Sequence, residues 1–242
     1  MTDRLILFLD FDGTLHPAWE FFDDTAGRTS ARRYEGPWLT AAPLLAALLK
    51  PYGDRVDIVI ASWWAYSRPL QEIRGLLPPA LAERVIDSIW LQELINSSWS
   101  EYHSLQANRH ACIRLWLKRR RPGYEGPWFA LDDDAQSWPE ADRPHLVHAA
   151  GTLAAPAVQQ DLARRLVTTM GDTVPESTLL AILAVLERVQ TLAGADVDRA
   201  VQWYQTQVLD ELGPHTAEQL VAAGHEHAVL RYLNSLAAGA CG

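Results

Sequence analysis

Residues 5–17 read LILFLDFDGTLHP, five consecutive apolar residues that run directly into Asp10, Asp12 and Gly13. An apolar run this short, bounded by turn formers, reads as a strand buried on both faces, the kind that belongs in a parallel sheet. Parallel strands need long crossovers, usually helical, so this stretch commits the chain to an α/β architecture. It also commits the chain to some chemistry at the strand end. A carboxylate is costly to desolvate and two close together repel, so Asp10 and Asp12 require a cation, a proton or water nearby.

The alternation continues along the first 150 residues. VDIVIA (56–61), WFAL (128–131) and HLVH (145–148) read as further strands, with helical patterns over about 40–50, 66–77, 105–121 and 134–142. Pro122 and Gly123 stop the third of these helices. The predicted fold is a doubly wound, Rossmann-like parallel sheet, whose ligands belong at the carboxyl ends of the strands. Asp10, Ser62 and Asp132 all fall there. Residues 156–170 read as a closing helix and GDTVPES (171–177) as a linker. Only helical patterns follow, broken at Gly194, at Gly213-Pro214 and at Gly224. Residues 171–242 hold nine acidic and three basic residues, a net of −6 within the chain's −9. The expected division is therefore an α/β domain over 1–170 and an acidic, all-helical module over 171–242. YEGPW occurs at 34–38 and again at 124–128, in unlike surroundings, and reads as a shared turn around a buried Trp.

Composition removes several classes of function. At 48% hydrophobic and 21% charged residues, the 242-residue chain reads as globular. No apolar run approaches the roughly 18 residues of a membrane helix. The N-terminal MTDRLILFLD lacks the basic start and cleavage site of a signal peptide. The two cysteines, Cys112 and Cys241, have no zinc-ligand spacing, and the expected location is the cytoplasm. His225 and His227 are two apart, not four, and read as surface residues rather than a metal pair. The glycine loops of nucleotide-driven and dinucleotide-dependent enzymes are missing. A net charge of −9 argues against a broad nucleic-acid surface but leaves room for a local basic groove.

What remains is a set of oxygen donors. Asp10 and Asp12 end one strand, Ser62 follows a second, and Asp132, Asp133 and Asp134 end a third. Such a hard site suits Mg²⁺, which keeps several waters and takes one or two carboxylates beside substrate phosphate. Remaining phosphate oxygens need a hydroxyl, which Ser62 supplies, and a cation from the helix at 105–121. Arg109 opens that helix, and Lys118 lies at its far end, in the KRRR run.

DFDGT after an apolar strand, a Ser after the next, a basic residue opening a helix and a later strand ending in DD resemble the four motifs of the haloacid dehalogenase (HAD) superfamily of phosphohydrolases. The resemblance spans about residues 4–150. More narrowly, FLDFDGTLHP, IVIASWW and WFALDDD with the following Trp138 resemble a group of small bacterial HAD proteins with relatives predicted to serve RNA repair. The resemblance implies that Asp10 is the nucleophile and that Asp12 protonates the leaving oxygen and then activates water. It further implies that Asp10, the backbone carbonyl of Asp12, Asp132 and Asp133 hold Mg²⁺. The relatives keep their phosphate-binding cation at the helix opening, which favours Arg109 over Lys118. HAD enzymes for small metabolites carry a large cap, yet fewer than thirty residues separate Gly13 from the helix near Thr40. An uncapped site suits a bulky phosphorylated substrate such as a polynucleotide end. HPAWEFFDDTAGRTSARRY reads as a lid loop whose aromatics and Arg28, Arg32 and Arg33 reach substrate. Lys118 to Arg121 read as a solvated helix end, with a nucleic-acid backbone contact as the alternative. Trp63, Trp64, Trp90, Trp99 and Trp116 read as core or crevice wall rather than base-stacking platforms.

AVQWYQTQVLDELGPHTAEQLVAAGHEHAVLRYLNSLAAG reads as a helix, then LG…TA..LV..G, then a helix ending in small residues and Gly. In this pattern residues 197–240 resemble the helical toxin-binding domain that ends Xre/MbcA/ParS-type antitoxins. The resemblance implies only a protein partner or self-association through 171–242. The apolar stripe from Leu179 to Leu192 must be covered, by the module's own helices or by a second copy. Two functions follow: a Mg²⁺-dependent phosphatase, or a non-catalytic adaptor that uses the same fold for binding. Every assigned site residue precedes 135, so residues 175–242 are expected to be dispensable for chemistry.

Overall fold

The computed structural model describes residues 4–23, 29–90, 108–171, 173–194 and 196–239. In chain order these form β1 (Leu5–Leu9), β2 (Trp19–Asp23), β3 (Thr29–Arg33), α1 (Ala42–Leu49), β4 (Val56–Ile60), α2 (Trp64–Ser67), α3 (Leu70–Leu76), α4 (Pro79–Ala82) and β5 (Val85–Ser88). Then come α5 (Arg109–Arg120), β6 (Trp128–Asp132), β7 (Leu146–His148), α6 (Pro156–Met170), α7 (Glu176–Ala193), α8 (Val197–Thr206), α9 (Ala217–Ala222) and α10 (Glu226–Gly239).

Five strands make one sheet in the order β5-β4-β1-β6-β7, each pair parallel. β1 lies at the centre, with Leu9 opposite Ile60 on one side and Leu131 on the other. From β1 the chain steps outward to β4 and β5, then returns to β6 on the opposite flank. That reversal opens a crevice at the carboxyl ends of β1 and β6. The five residues of β1 are all buried, and their alternation feeds two apolar layers. Leu5, Leu7 and Leu9 face the layer that contains α1 and α6; Ile6 and Phe8 face Cys112, Ile113 and Trp116 of α5.

Several sequence expectations change in detail, each for a local reason. The helix read at 66–77 is two pieces, because Pro69 holds Arg68 extended (φ −129°, ψ 142°) between α2 and α3. No α-helix covers 134–142. Asp134 Oδ1 instead accepts from the backbone N–H of Gln136 and Ser137, and a 3₁₀ turn with Pro144 inside it spans Glu140–His145. The stretch read as a lid loop contains the antiparallel hairpin β2–β3, with Trp19 opposite Arg33. Arg28 and Trp99 lie outside the described residues. Among the described residues, the segment between β1 and α1 carries this hairpin and no folded cap.

The two YEGPW copies do share a turn. Tyr34 Oη donates to the Pro37 carbonyl and Tyr124 Oη to the Pro127 carbonyl, both at 3.1 Å. In each copy a Cβ on the glycine would collide with the tyrosine ring. The buried Trp is not shared: Trp128 is 8% exposed, whereas Trp38 is 54% exposed.

Beyond α6, the helices α7 to α10 pack on the α1 side of the sheet. α7 packs against α1, α6, α8 and α10. Its stripe of Leu179, Leu183, Val185, Leu186 and Val189 is buried within this chain, in one apolar cluster that also contains β1 and α1. Among the described residues, no single helix is long and apolar enough to cross a membrane.

Candidate active site

Asp10 is the first residue beyond β1. Its backbone N–H still bonds the Leu131 carbonyl (3.1 Å), so its carboxylate is held at the crevice, 1% exposed. Asp132 ends β6 and is fully buried, and Asp133 follows it. Carboxylate oxygens of Asp10, Asp132 and Asp133 all lie within 4.8 Å of one another. Gly13 makes that cluster possible. Its φ of +74° is left-handed, and a Cβ there would collide with the Asp133 carboxylate.

Arg109 supplies the counter-charge. The Asn108 side chain accepts from the Ala111 N–H at 2.8 Å and caps α5, which places Arg109 in the first turn, at the strand ends. Its Nη1 donates to Asp10 Oδ1 and to the Ala61 carbonyl (2.8 Å), and its Nε lies 3.2 Å from Asp132 Oδ2. Ser62 follows Ala61 and is fully buried, and its Oγ accepts from the Trp64 N–H at 3.5 Å. Lys118, by contrast, lies in the last turn of α5. At 1.5 Å per residue it is about 13 Å along the helix from Arg109.

Three carboxylates around one guanidinium leave excess negative charge in a buried place, and their protonation reflects it. Burial pushes the Asp10 carboxyl well above the usual range; Arg109 opposes this, while Asp132 and Asp133 add to it. Burial also pushes Asp132 up to about 6, against the pull of Arg109. Asp133 is raised as well, by burial first. Burial acts to lower the Arg109 pKa, but Asp10 and Asp132 outweigh it and hold the guanidinium charged.

Asp12 stands apart from this cluster. Its Oδ1 lies 3.1 Å from His16 Nε2, and its Oδ2 accepts from Trp64 Nε1 at 2.8 Å. Burial alone would raise its pKa, yet the bonds to His16 and Trp64 together hold it below the usual range. One β1 end thus carries two carboxylates of opposite tendency, a recurrent arrangement for dividing nucleophile from acid–base work. His16 and Thr14 are residues that sequence reasoning passed over. Thr14 Oγ1 lies 3.4 Å from Asp10 Oδ2, and buried His16 reaches Asp12 through a turn in which Gly13 N–H bonds the His16 carbonyl. The only signal for either was its place in DGTLH.

The donor set fits a hard divalent cation. It is all oxygen, it is anionic in excess, and the buried Asp132 Oδ2 has the ion pair with Arg109 but no hydrogen bond. Beside Asp12 opens a cavity of about 410 Å³ with Trp38, Trp63, Trp64, Arg33 and Arg68 in its walls.

A parallel sheet that puts DFDGT at its switch point, with an arginine and a second pair of aspartates closing around Asp10, has the construction of the HAD class of phosphohydrolase folds. Comparison with protein families makes this specific. The family described as the HAD domain in Swiss Army Knife RNA repair proteins matches residues 6–155, more than half of the chain, and the chain belongs to that family. Residues 156–242 lie outside the match. No curated protein and no solved structure matches.

Proposed function

We propose that the protein is a Mg²⁺-dependent phosphatase that works through an aspartyl-phosphate on Asp10 and acts on phosphorylated polynucleotide ends. The observation that carries the reading is the division of labour at the end of β1: Asp10 in the carboxylate cluster with Arg109, and Asp12 held outside it by His16 and Trp64. Asp10, Asp132 and Asp133, with the backbone carbonyl of Asp12, would hold Mg²⁺, which supplies charge neutralisation for a phosphoryl group entering an anionic site. Asp10 then attacks phosphorus. An Asp10 oxygen–phosphorus bond forms as the bond to the leaving oxygen breaks, and Asp12 gives that oxygen a proton. In the second half Asp12 takes a proton from water, the water oxygen bonds phosphorus, and the Asp10 carboxylate leaves. Asp12 is ionised in the free protein; the negative charge of an arriving phosphate raises its pKa, which turns it into an acid when an acid is needed. Arg109 and Ser62 bind the phosphoryl oxygens. The polynucleotide assignment rests on the family and on the absence of a folded cap among the described residues.

The test is release of inorganic phosphate from a panel of 3′- and 5′-phosphorylated oligonucleotides, mononucleotides, sugar phosphates and phosphopeptides. Turnover of an oligonucleotide that requires Mg²⁺ and vanishes in Asp10→Asn is the expected result. Full activity in Asp10→Asn overturns the mechanism, and a preference for a sugar phosphate overturns the substrate class. The rival adaptor reading predicts no turnover, and no thermal stabilisation by Mg²⁺ with beryllium fluoride, a phosphoryl mimic.

A further inference from the structure

The cavity beside Asp12 has a composition that phosphate chemistry alone does not require. Phosphoryl transfer needs the carboxylates, Arg109 and Ser62, and of these Asp12 alone lines the cavity. The cavity instead combines large aromatics with two more guanidinium groups. Trp38 is 54% exposed, although the second copy of the same turn buries its Trp. It packs edge-on against Trp64 (ring centroids 5.1 Å apart, planes at 75°), so Trp64 fixes its position from one side. Arg68 spans the two rings, 5.8 Å from the Trp38 centroid and 5.0 Å from that of Trp64. Trp63 is braced in turn by Trp90, with centroids 4.5 Å apart. Of the paired arginines on β3, Arg32 is held by Glu20 at 2.7 Å, whereas Arg33 lines the cavity. Asp12 is the single acid among the lining residues. In a chain of net charge −9 this is a local reversal of sign.

Fixed aromatic faces interleaved with guanidinium groups are what single-stranded nucleic acid selects, since every base has a π-face and every linkage a negative charge. We propose that this cavity is a base-binding subsite: the nucleobase of the phosphate-bearing terminal nucleotide stacks on Trp38, and Arg33 and Arg68 hold the adjoining backbone phosphate. At about 410 Å³ the cavity admits one nucleotide and not a duplex end, so the preferred strand is single at its terminus. This rests on the phosphatase reading only for the position of the terminal phosphate. The basic run at the far end of α5 has no part in it. Arg120 there pairs with Asp87 at 3.4 Å, and the run lies a helix length away from Asp10.

The experiment is equilibrium binding to the catalytically silent Asp10→Asn protein, followed by oligonucleotide anisotropy. The probes are short single-stranded RNAs with a 3′- or a 5′-terminal phosphate, each made with its terminal base and as the abasic analogue. The base-bearing strand is expected to bind about tenfold more tightly at the end the enzyme uses, the effect of a single base–aromatic stack. Adding Trp38→Ala collapses that ratio to near one, Trp38→Phe restores most of it, and Arg68→Ala weakens both strands while leaving the ratio. Equal affinity for the two strands overturns the subsite, as does a ratio unmoved by Trp38→Ala. Tighter binding of a phosphotyrosine peptide overturns it too, in favour of a different aromatic ligand. Turnover by the wild-type protein, run in parallel, separates the two readings. Hydrolysis without base dependence removes only the subsite, and base-dependent binding without hydrolysis removes only the phosphatase.

Discussion

The α/β region and the helices after α6 are built on opposite terms. Among the described residues, the buried polar and charged side chains are Asp10, Thr14, His16, Ser62, His110, Asp132 and Thr152, all in the first region. From α7 onward the buried residues are apolar or, at Tyr204, aromatic. The first region carries ionisable groups whose burial costs free energy; the described residues of the second add apolar burial. The two share one cluster, in which β1, α1, α6 and α7 meet. The helices therefore contribute stability to a sheet whose buried carboxylates consume it.

Truncation is the most severe way to break that comparison. A chain ending at 174 loses α7 to α10 and uncovers the apolar side of α1 and α6, with several fully buried leucines worth about 1.5–3 kcal/mol each. The expected outcome is an aggregated or unfolded 1–174 protein, the reverse of the dispensability read from the sequence, because α7 shares one apolar cluster with β1, α1 and α6. A monomeric, active 1–174 protein that melts near the full chain would show that the site needs nothing from the helices.

Asp10→Asn comes next. It keeps the size of the side chain and a partner for Arg109 but removes the nucleophile proposed above, so turnover should fall by about 10³-fold or more while the melting temperature stays level or rises. A rise sharpens the comparison directly, because it measures what the buried charge costs. Gly13→Ala has a smaller effect on both counts. The left-handed backbone and the Asp133 carboxylate each resist a Cβ, so a loss of about 1–3 kcal/mol is expected, with Mg²⁺-induced thermal stabilisation weakened at least tenfold in midpoint. Unchanged Mg²⁺ response would remove Asp133 from the metal set.

The pH dependence is smaller again. The Asp132 carboxyl is pushed up to about 6, above its unfolded value of about 4. A raised carboxyl destabilises wherever it is ionised, so its cost is present above about pH 6 and is relieved as the pH falls through 6 towards 4. Without metal, the wild-type protein should gain a few degrees of melting temperature relative to Asp132→Asn between pH 7 and pH 5. Saturating Mg²⁺ should abolish the difference, since metal and proton compete for the same oxygens. No difference between the two proteins would mean that Arg109 neutralises Asp132 completely.

The same contrast explains what the sequence made legible. The sheet was readable because buried parallel strands are unbroken apolar runs, and α6 because Pro156 and Gly171 bracket an apolar period. VIDS (85–88) was not, since a four-residue edge strand with two apolar residues carries too little pattern. The Asp10–Asp132–Asp133 cluster was legible because strand ends converge by topology. His16 and Trp64 against Asp12, and the exposure of Trp38, were not. These depend on where a turn points a ring, which residue type and spacing leave open. The identical YEGPW copies make the point: the same five letters bury one Trp and expose the other, because only the second runs on into a central-sheet strand.

The smallest effect tests what joins the two regions. Lys50 Nζ lies 2.6 Å from Glu218 Oε2, an ion pair from the end of α1 to α9. Its lysine side chain is half exposed, so water and salt screen it, and Glu218→Gln should cost less than about 1 kcal/mol and nothing measurable in high salt. Leu186→Ala, in α7 and 2% exposed, should cost about 2–5 kcal/mol at any ionic strength. That ordering is what an apolar join requires. Thermal melts of the two variants at low and high salt decide it: if Glu218→Gln proves the more damaging, the helices are held to the sheet by charge. The acidic region would then come loose as salt rises, with the sheet's apolar side left open.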